Sequence, residues 1–245
     1  MITHPDKVLF PDTGITKGEL AAYYEMIAPV MLPHIRGRPI TMERFHRGIG
    51  EKGFFQKDVS KGFPEWLERV EVQKKGGTVH HPVVTDTRSL VWLANQNSIT
   101  PHVWTARIPD LWRPDVCVFD LDPSEEQPEI LSAVAIALRD LLSELGLESW
   151  VKTSGSKGFH IVVPLDGSAD YSEVGRLRTP QALCSSGAIR SGSRKSLARR
   201  IAAVEFSSIR DAMPITRPSR RLTRCAPKRV LLYRRRVHGM KSRTA

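Results

Sequence analysis

An α+β fold is predicted for the first 177 residues of this 245-residue chain. Two segments carry apolar side chains at helical spacing, five short segments are rich in β-forming residues, and clear turn signals separate them. This mixture is typical of helices packed against a sheet. Residues 178–245 show little apolar periodicity, so we expect them to form a separate, poorly ordered tail.

The first helix is expected to begin after Thr16. Thr16 and Glu19 have the spacing of a capping box, in which each side chain accepts a hydrogen bond from the other residue's backbone N–H. Pro33 and Gly37 mark the end of the helix. Between these signals, apolar side chains recur at helical spacing: Leu20, Tyr23, Tyr24, Ile27, Val30 and Met31.

A second amphipathic helix is predicted over residues 128–145, with Gly146 as its stop signal. Runs of β-forming residues surround the two helices. They predict strands at residues 38–45, 78–84, 115–121, 150–153 and 160–165.

The positive charge of the chain is concentrated in the tail. The formal net charge is +11, but residues 178–245 hold 15 Arg and 3 Lys against two acidic residues, which leaves residues 1–177 at −5. The total charge therefore gives no support to nucleic-acid binding by the first 177 residues. The tail itself has the composition of a basic arm that binds nucleic acid.

Some locations and site types are disfavoured by composition. No run of about 18 apolar residues is present, and the N-terminus lacks the pattern of a signal peptide. Cys117, Cys184 and Cys225 have neither metal-ligand spacing nor a disulfide pattern. We therefore expect a cytoplasmic protein.

The segment VCVFDLDP, residues 116–123, predicts a metal site. Alternate residues of a strand point to the same face, so Asp120 and Asp122 share one. Two carboxylates so close repel each other, and Mg²⁺ or Mn²⁺ relieves the repulsion through the oxygen ligands that it prefers. A pair of carboxylates at an exposed strand end without any metal is the alternative.

The segment KTSGSKGFH, residues 152–160, predicts a phosphate-binding turn. Glycine lets the main chain approach a ligand closely, and successive backbone N–H groups can hold phosphate oxygens. An ordinary Gly/Ser hairpin is the alternative. The predicted helix at 128–145 returns the chain to this segment, so the turn and the carboxylates are expected to share one site.

With these motifs in place, the chain resembles the polymerase domain of bacterial DNA ligase D, in the archaeo-eukaryotic primase-polymerase superfamily. The resemblance runs from Ile2 to about Gly175. It is carried by several segments in the family's order: THPDKVLFPDTGITKGELAAYY, GFFQK, QNSITPHVW, VFDLDP and TSGSKGFH. It implies an RRM-like catalytic sheet flanked by helices, with a smaller N-terminal subdomain.

The resemblance also implies a role for each matching residue. Metal ions, Mn²⁺ or Mg²⁺, would be held by Asp120, Asp122 and a third carboxylate. The nucleotide triphosphate would contact Ser154, Lys157 and His160, and His102 would lie at the active site. DNA would be bound through its 5′ phosphate by Lys7 and Lys17, and through its template bases by Phe54 and Phe55.

The activity implied is nucleotide addition at DNA ends during bacterial non-homologous end joining. Such domains fill gaps and extend ends with ribonucleotides or deoxyribonucleotides, prefer the former, and act with the end-binding protein Ku. A nucleoid-associated cytoplasmic location follows. No ligase or nuclease domain is recognisable in this chain.

One family feature is missing from the tail. The family has a third carboxylate in a strand reading roughly V-D-x-x-R-N, where this chain has residues 206–213, FSSIRDAM. If each codon is re-read from its third base, these residues can become I/L-L-V-D-T-G-R-N. We therefore hypothesise a frameshift between Arg176 and Arg178, an incomplete polymerase domain over residues 1–177, and impaired activity.

Two other functions fit parts of the sequence. A non-catalytic DNA-binding module would use the Arg-rich tail for salt-dependent affinity. A phosphatase-like enzyme would use Asp120 as its nucleophile, but the Gly/Ser/His turn and the N-terminal lysines and aromatic residues argue against it.

Overall fold

The computed structural model describes residues 2–59, 63–123, 128–155, 158–177 and 204–207, with backbone alone at 123, 128–130, 177 and 204–207. These residues form two compact units, which divide between Trp112 and Arg113. The described residues contain four helices and eleven strands in an α+β arrangement, which confirms the predicted fold class.

The first unit contains two helices, a three-stranded sheet and two hairpins. In chain order its elements are β1 (Val8–Phe10), β2 (Ile15–Thr16), α1 (Lys17–Ile35), β3 (Ile40–Arg44), β4 (Phe54–Gln56), β5 (Arg69–Lys74), β6 (Gly77–Pro82), α2 (Thr87–Asn95) and β7 (Ser98–Val103). Strand β3 lies between β4 and β7 and is antiparallel to both, while β1–β2 and β5–β6 are separate antiparallel pairs.

Helix α1 begins as predicted. The Glu19 N–H donates to Thr16 Oγ1 at 3.3 Å, and the Thr16 N–H donates to Glu19 Oε2 at 2.7 Å, so both halves of the capping box are present. The helix continues through Pro33 and ends before Gly37, which has a φ of 73°. Its buried face joins one core with α2 and β3: Leu20, Tyr24, Ala28, Leu32, Leu90, Leu93, Ile40 and Met42.

The second unit is an antiparallel four-stranded sheet with two helices. Its elements are β8 (Val116–Pro123), α3 (Pro128–Glu144), β9 (Trp150–Thr153), β10 (Phe159–Pro164), α4 (Tyr171–Leu177) and β11 (Val204–Ser207). The strand order is β11-β8-β10-β9. One sheet face is buried in a core with α3: Cys117, Phe119, Leu121, Ile161, Val163, Leu131, Val134, Leu138 and Leu142.

Strand β11 belongs to the segment for which the sequence predicted poor order. Its register pairs Glu205 with Asp122 and Ser207 with Asp120 on β8. The rest of the tail prediction, and with it the proposed frameshift, falls outside the described residues. None of the helices in the described part is long and apolar enough to cross a membrane.

Candidate active site

The predicted carboxylate pair lies on the face of the second unit's sheet opposite α3. Asp120 and Asp122 are half-buried, while the intervening Leu121 is fully buried in the core. This alternation results from the period of two along β8. The strand extends through both aspartates because β10 and β11 pair with its two edges. The two carboxylates are therefore held by a paired strand.

His160 is brought directly across from Asp120. The two residues are Cα partners in the β10–β8 register, and His160 Nε2 lies 3.3 Å from Asp120 Oδ1. Burial lowers the pKa of His160 and the neighbouring Lys152 lowers it further, while Asp120 and Asp122 partly oppose the shift. The imidazole is thus neutral at pH 7, with one ring nitrogen that donates and one that accepts.

The Gly/Ser turn closes against the second carboxylate. The Ser154 N–H donates to the Gly158 carbonyl at 3.0 Å, and the Gly158 N–H donates to Ser154 Oγ at 3.1 Å. A Cβ added to Gly158 would collide with Asp122 Oδ1 and would lie 2.5 Å from the Leu121 carbonyl oxygen. Only glycine therefore fits this position without a shift. Lys157 lies outside the described residues, and so does its predicted contact with the triphosphate.

The aspartates fit a divalent cation by the chemistry of their oxygen donors. The described residues contain no group of three His, Cys, Asp or Glu side chains that could hold a metal ion. The backbone register of β11 nevertheless places Glu205 opposite Asp122. Glu205 is therefore a candidate third carboxylate in addition to the predicted segment at residues 206–213.

In the first unit, His102 is held by an acidic partner and an aromatic ring. Its Nε2 lies 3.0 Å from Glu43 Oε2, and its ring meets that of Phe55 edge-on at a centroid distance of 5.3 Å. A carboxylate accepts only, so it selects a proton on Nε2 and leaves Nδ1 as the acceptor in the neutral ring. Glu43 was not predicted, because a single Glu in a strand has no sequence signal.

The two predicted DNA-binding lysines lie in one cavity of about 690 Å³, which the first unit forms. Lys7 Nζ donates to the His46 carbonyl, and Lys17 Nζ donates to the Thr3 carbonyl at 2.7 Å. Lys17 is only 4% exposed, and its pKa is lowered by burial and by the neighbouring positive charges of Lys7 and Arg44. Arg44 is a third cation of this cavity that the sequence analysis missed.

The adjacent rings of Phe54 and Phe55 belong to opposite faces of the three-stranded sheet. The register pairs Phe54 with Arg44 and Phe55 with Glu43, and neighbouring residues of a strand alternate in direction. Both rings are substantially exposed, Phe54 at 41% and Phe55 at 61%. Phe54 therefore lies on the same sheet face as Arg44, which lines the lysine-containing cavity. Phe55 lies on the other face, in contact with His102.

Comparison with known proteins identifies the family of this chain. The model of the LigD primase-polymerase domain family matches residues 16–199 of the chain, about three quarters of its length. The chain belongs to this family. The match extends beyond residue 177, where the sequence analysis placed the end of the recognisable domain.

Two similar proteins are named as proteins of non-homologous end joining. The multifunctional LigD of Mycolicibacterium smegmatis is 44% identical over 167 residues, which cover 67% of this chain and 22% of the relative. The LigD of Pseudomonas aeruginosa is 36% identical over 178 residues, 71% of this chain and 21% of the relative. This chain thus spans about a fifth of the length of these relatives.

A solved structure shares the fold. The polymerase domain of Mycobacterium tuberculosis ligase D, determined in complex with DNA, superposes with a TM-score of 0.70 and 38% sequence identity. The match covers 76% of this chain and 68% of that one.

Proposed function

We propose that this chain is a DNA-end-directed nucleotidyl transferase of bacterial non-homologous end joining. The observation that carries the proposal is the half-buried pair Asp120 and Asp122 on one sheet face, with His160 opposite Asp120 and Gly158 against Asp122. The opposite face of the same sheet is the core of the unit. A rigid sheet that presents carboxylates next to a phosphate-binding turn suits phosphoryl transfer.

In the proposed reaction, the 3′ hydroxyl oxygen of a DNA end forms a bond to the α-phosphorus of a nucleoside triphosphate. The bond from that phosphorus to the bridging oxygen breaks, pyrophosphate leaves, and the hydroxyl proton passes to solvent. Asp120 and Asp122 would hold divalent ions, either Mg²⁺ or Mn²⁺. These ions would offset the negative charge of the phosphates and activate the hydroxyl.

The residues around the carboxylates are proposed to act in the same reaction. His160 directs Nε2 toward Asp120, so it would donate to a phosphate oxygen by exchanging that partner, whereas the hydroxyl of Ser154 can donate to a phosphate oxygen directly. Gly158 leaves Asp122 the space that a side chain would fill. Lys157 is assigned to the triphosphate, and His102 to the active site, through the family resemblance.

DNA binding is assigned to the first unit. Lys7 and Lys17 would take the 5′ phosphate at a gap or break, because their cavity collects positive charge. Phe54 and Phe55 would stack on template bases, an interaction worth about 1–3 kcal/mol per base. The solved relative was determined in complex with DNA, which supports DNA as a ligand of this chain. Ku remains the proposed protein partner, and ribonucleotides the preferred substrates.

The test is nucleotide addition by the full chain on a gapped duplex with a 5′ phosphate, in Mn²⁺ or Mg²⁺, with ribonucleotides and deoxyribonucleotides in parallel. We expect template-dependent addition that Asp120→Asn removes and that Asp140→Asn, on the far side of α3, leaves intact. Phosphorylated DNA should bind more tightly than unphosphorylated DNA, and Lys7→Ala should remove the difference.

Salt-dependent DNA binding without addition would favour the non-catalytic module, especially if deletion of residues 178–245 abolished it. The frameshift has its own test, which is to resequence the gene across codons 174–190. A single inserted or missing base there, together with higher activity of the repaired chain, is the expected result. A confirmed reading frame would refute the frameshift.

A further inference from the structure

Arg44 stands between the lysine-containing cavity and the exposed ring of Phe54. It lines the cavity together with Lys7 and Lys17. Its Nε donates to the Gln96 carbonyl at 2.7 Å, and its Nη1 donates to Gln56 Oε1 at 2.5 Å. Its Cζ lies 5.6 Å from the centroid of the Phe54 ring. The guanidinium is thus oriented by two acceptors and lies within cation–π distance of the aromatic ring.

The cavity has an excess of positive charge. Within the described part of the first unit, Lys7, Lys17 and Arg44 form no ion pair with a carboxylate, although Asp6 also lines the cavity. Arg44 is half-buried and Lys17 is buried, so each charge is partly removed from water, and this burial lowers the pKa of both groups. A terminal phosphate would supply about −1.5 to −2 charges at pH 7 and would offset this excess.

A second contact joins the cavity to the same ring. The carbonyl of His46 accepts the hydrogen bond of Lys7, and the His46 ring lies 5.0 Å from the Phe54 ring, measured between centroids. Phe54 therefore contacts both Arg44 and His46. Arg44 is one of the three cations that a phosphate in the cavity would contact, and His46 accepts a hydrogen bond from another of them, Lys7.

We propose that Arg44 is a positioning residue that couples phosphate binding in the cavity to the stacking position of Phe54. The inference rests on the proposed function, since it requires DNA as the ligand. A phosphate draws the three cations together and fixes the guanidinium, and the guanidinium holds the ring through a cation–π contact. The ring then stacks more strongly on DNA that carries a 5′ phosphate than on DNA that lacks it.

The experiment measures this coupling directly. The dissociation constants of a gapped duplex, with and without its 5′ phosphate, are determined at one fixed salt concentration by fluorescence anisotropy. The full-length proteins compared are the unchanged chain, Phe54→Leu, Arg44→Gln, Arg44→Lys and the double variants with Phe54→Leu. We expect Phe54→Leu to weaken binding of the phosphorylated duplex about fivefold more than binding of the unphosphorylated one.

The two Arg44 variants separate charge from position. Arg44→Gln should make the cost of Phe54→Leu equal for both duplexes. Arg44→Lys keeps the charge, so it should retain a preference for the phosphorylated duplex, but it lacks the planar fork that reaches Gln96 and Gln56 and should also lose the coupling. Arg47→Gln is the matched control, because Arg47 is exposed and pairs only loosely with Glu51, at 3.9 Å. It should leave the coupling intact.

The outcomes distinguish the inference from the function on which it rests. If the unchanged chain shows no preference for the 5′ phosphate, the proposed phosphate site is wrong and the coupling with it. If the preference is present but Phe54→Leu costs the same on both duplexes, or the coupling survives in either Arg44 variant, the role of Arg44 alone is overturned. Thermal unfolding of each variant checks that it is folded, and Arg44→Lys serves if Arg44→Gln is not.

Discussion

Nε2 of His160 lies 3.3 Å from Oδ1 of Asp120, across the register of two neighbouring antiparallel strands. Both side chains are less than one third exposed, so the contact is partly shielded from water. The neutral imidazole partners a carboxylate to which we assign a metal ion. The same sheet face would therefore combine the proposed metal ligands with a histidine that orients one of them, an arrangement suited to nucleotidyl transfer.

Asp120→Asn and Asp122→Asn should each weaken Mn²⁺ binding at least tenfold, equivalent to about 1.4 kcal/mol. Each substitution removes a charged oxygen ligand and also one of two repelling charges. Unfolding temperature without metal should therefore be unchanged or higher, while its rise on addition of Mn²⁺ should be lost. Titration calorimetry and thermal unfolding measure the two effects, with Asp140→Asn as the control. If both variants bind Mn²⁺ with unaltered affinity, the two carboxylates are not ligands of a metal site.

Gly158→Ala should reduce nucleotide addition by at least tenfold. The added Cβ would meet Asp122 Oδ1 and the Leu121 carbonyl, so the strand or the carboxylate must shift. Overpacking of this kind costs about 1–3 kcal/mol. Gly50→Ala is the matched control, because its Cβ would approach only Pro11 Cγ, at an ordinary 3.7 Å. Full activity and stability of Gly158→Ala would show that the close approach has no functional role.

Glu43→Gln should lower kcat for nucleotide addition about two- to tenfold, the range expected when the free energy of one hydrogen bond is lost. An amide can either donate or accept, so the proton on His102 is no longer directed to Nε2. The effect should vanish in a His102→Ala background, since Glu43 acts through His102. Glu25→Gln, at an exposed position of α1, is the control. An equal effect of Glu43→Gln in both backgrounds would contradict the positioning role.

Stability should fall as pH drops below about 6.5, the usual pKa of histidine. Burial lowers the pKa of His81 in the folded chain, so the unfolded chain binds more protons in this range. The contribution of His81 is present above the unfolded pKa and is lost as pH falls through the folded one. His46 and His160 act in the same direction.

His81→Gln and His81→Leu should therefore both reduce the slope of unfolding free energy against pH, as measured by urea unfolding from pH 5 to 8. His81 Nδ1 lies 3.2 Å from the Ile40 carbonyl, a contact that glutamine can replace and leucine cannot. His81→Leu should consequently be the less stable variant at pH 8. A slope equal to that of the unchanged chain would contradict the assignment.

Glu205→Gln should weaken Mn²⁺ binding if the carboxylate opposite Asp122 completes the metal site. The reason for this test is the strand register, which pairs Glu205 with Asp122. Glu173→Gln, on the exposed surface of α4, is the charge-matched control. If Glu205→Gln binds Mn²⁺ as the unchanged chain does, position 205 contributes no ligand, and the third carboxylate must come from elsewhere, such as a chain with a restored frame.

Local signals predicted much of the fold. Helices α1 and α3 followed from capping and apolar periodicity, and each of the five predicted strands, at 38–45, 78–84, 115–121, 150–153 and 160–165, overlaps an observed strand. Helix α2 was missed: it has only nine residues, and its N-cap Asp86 pairs with a serine in place of the usual Glu or Gln. Short strands such as β1, β4 and β11 were missed because their stability depends on partners distant in sequence.

The shared face of Asp120 and Asp122 followed from the sequence alone, since a strand has a period of two whatever surrounds it. The neighbours of that face did not. His160 opposite Asp120, Gly158 against Asp122 and Glu205 at the β11 edge all depend on strand pairing, which no local pattern specifies. Arg44 meets Lys7 and Lys17 for the same reason: β3, the N-terminal hairpin and α1 converge only when their apolar faces pack into one core.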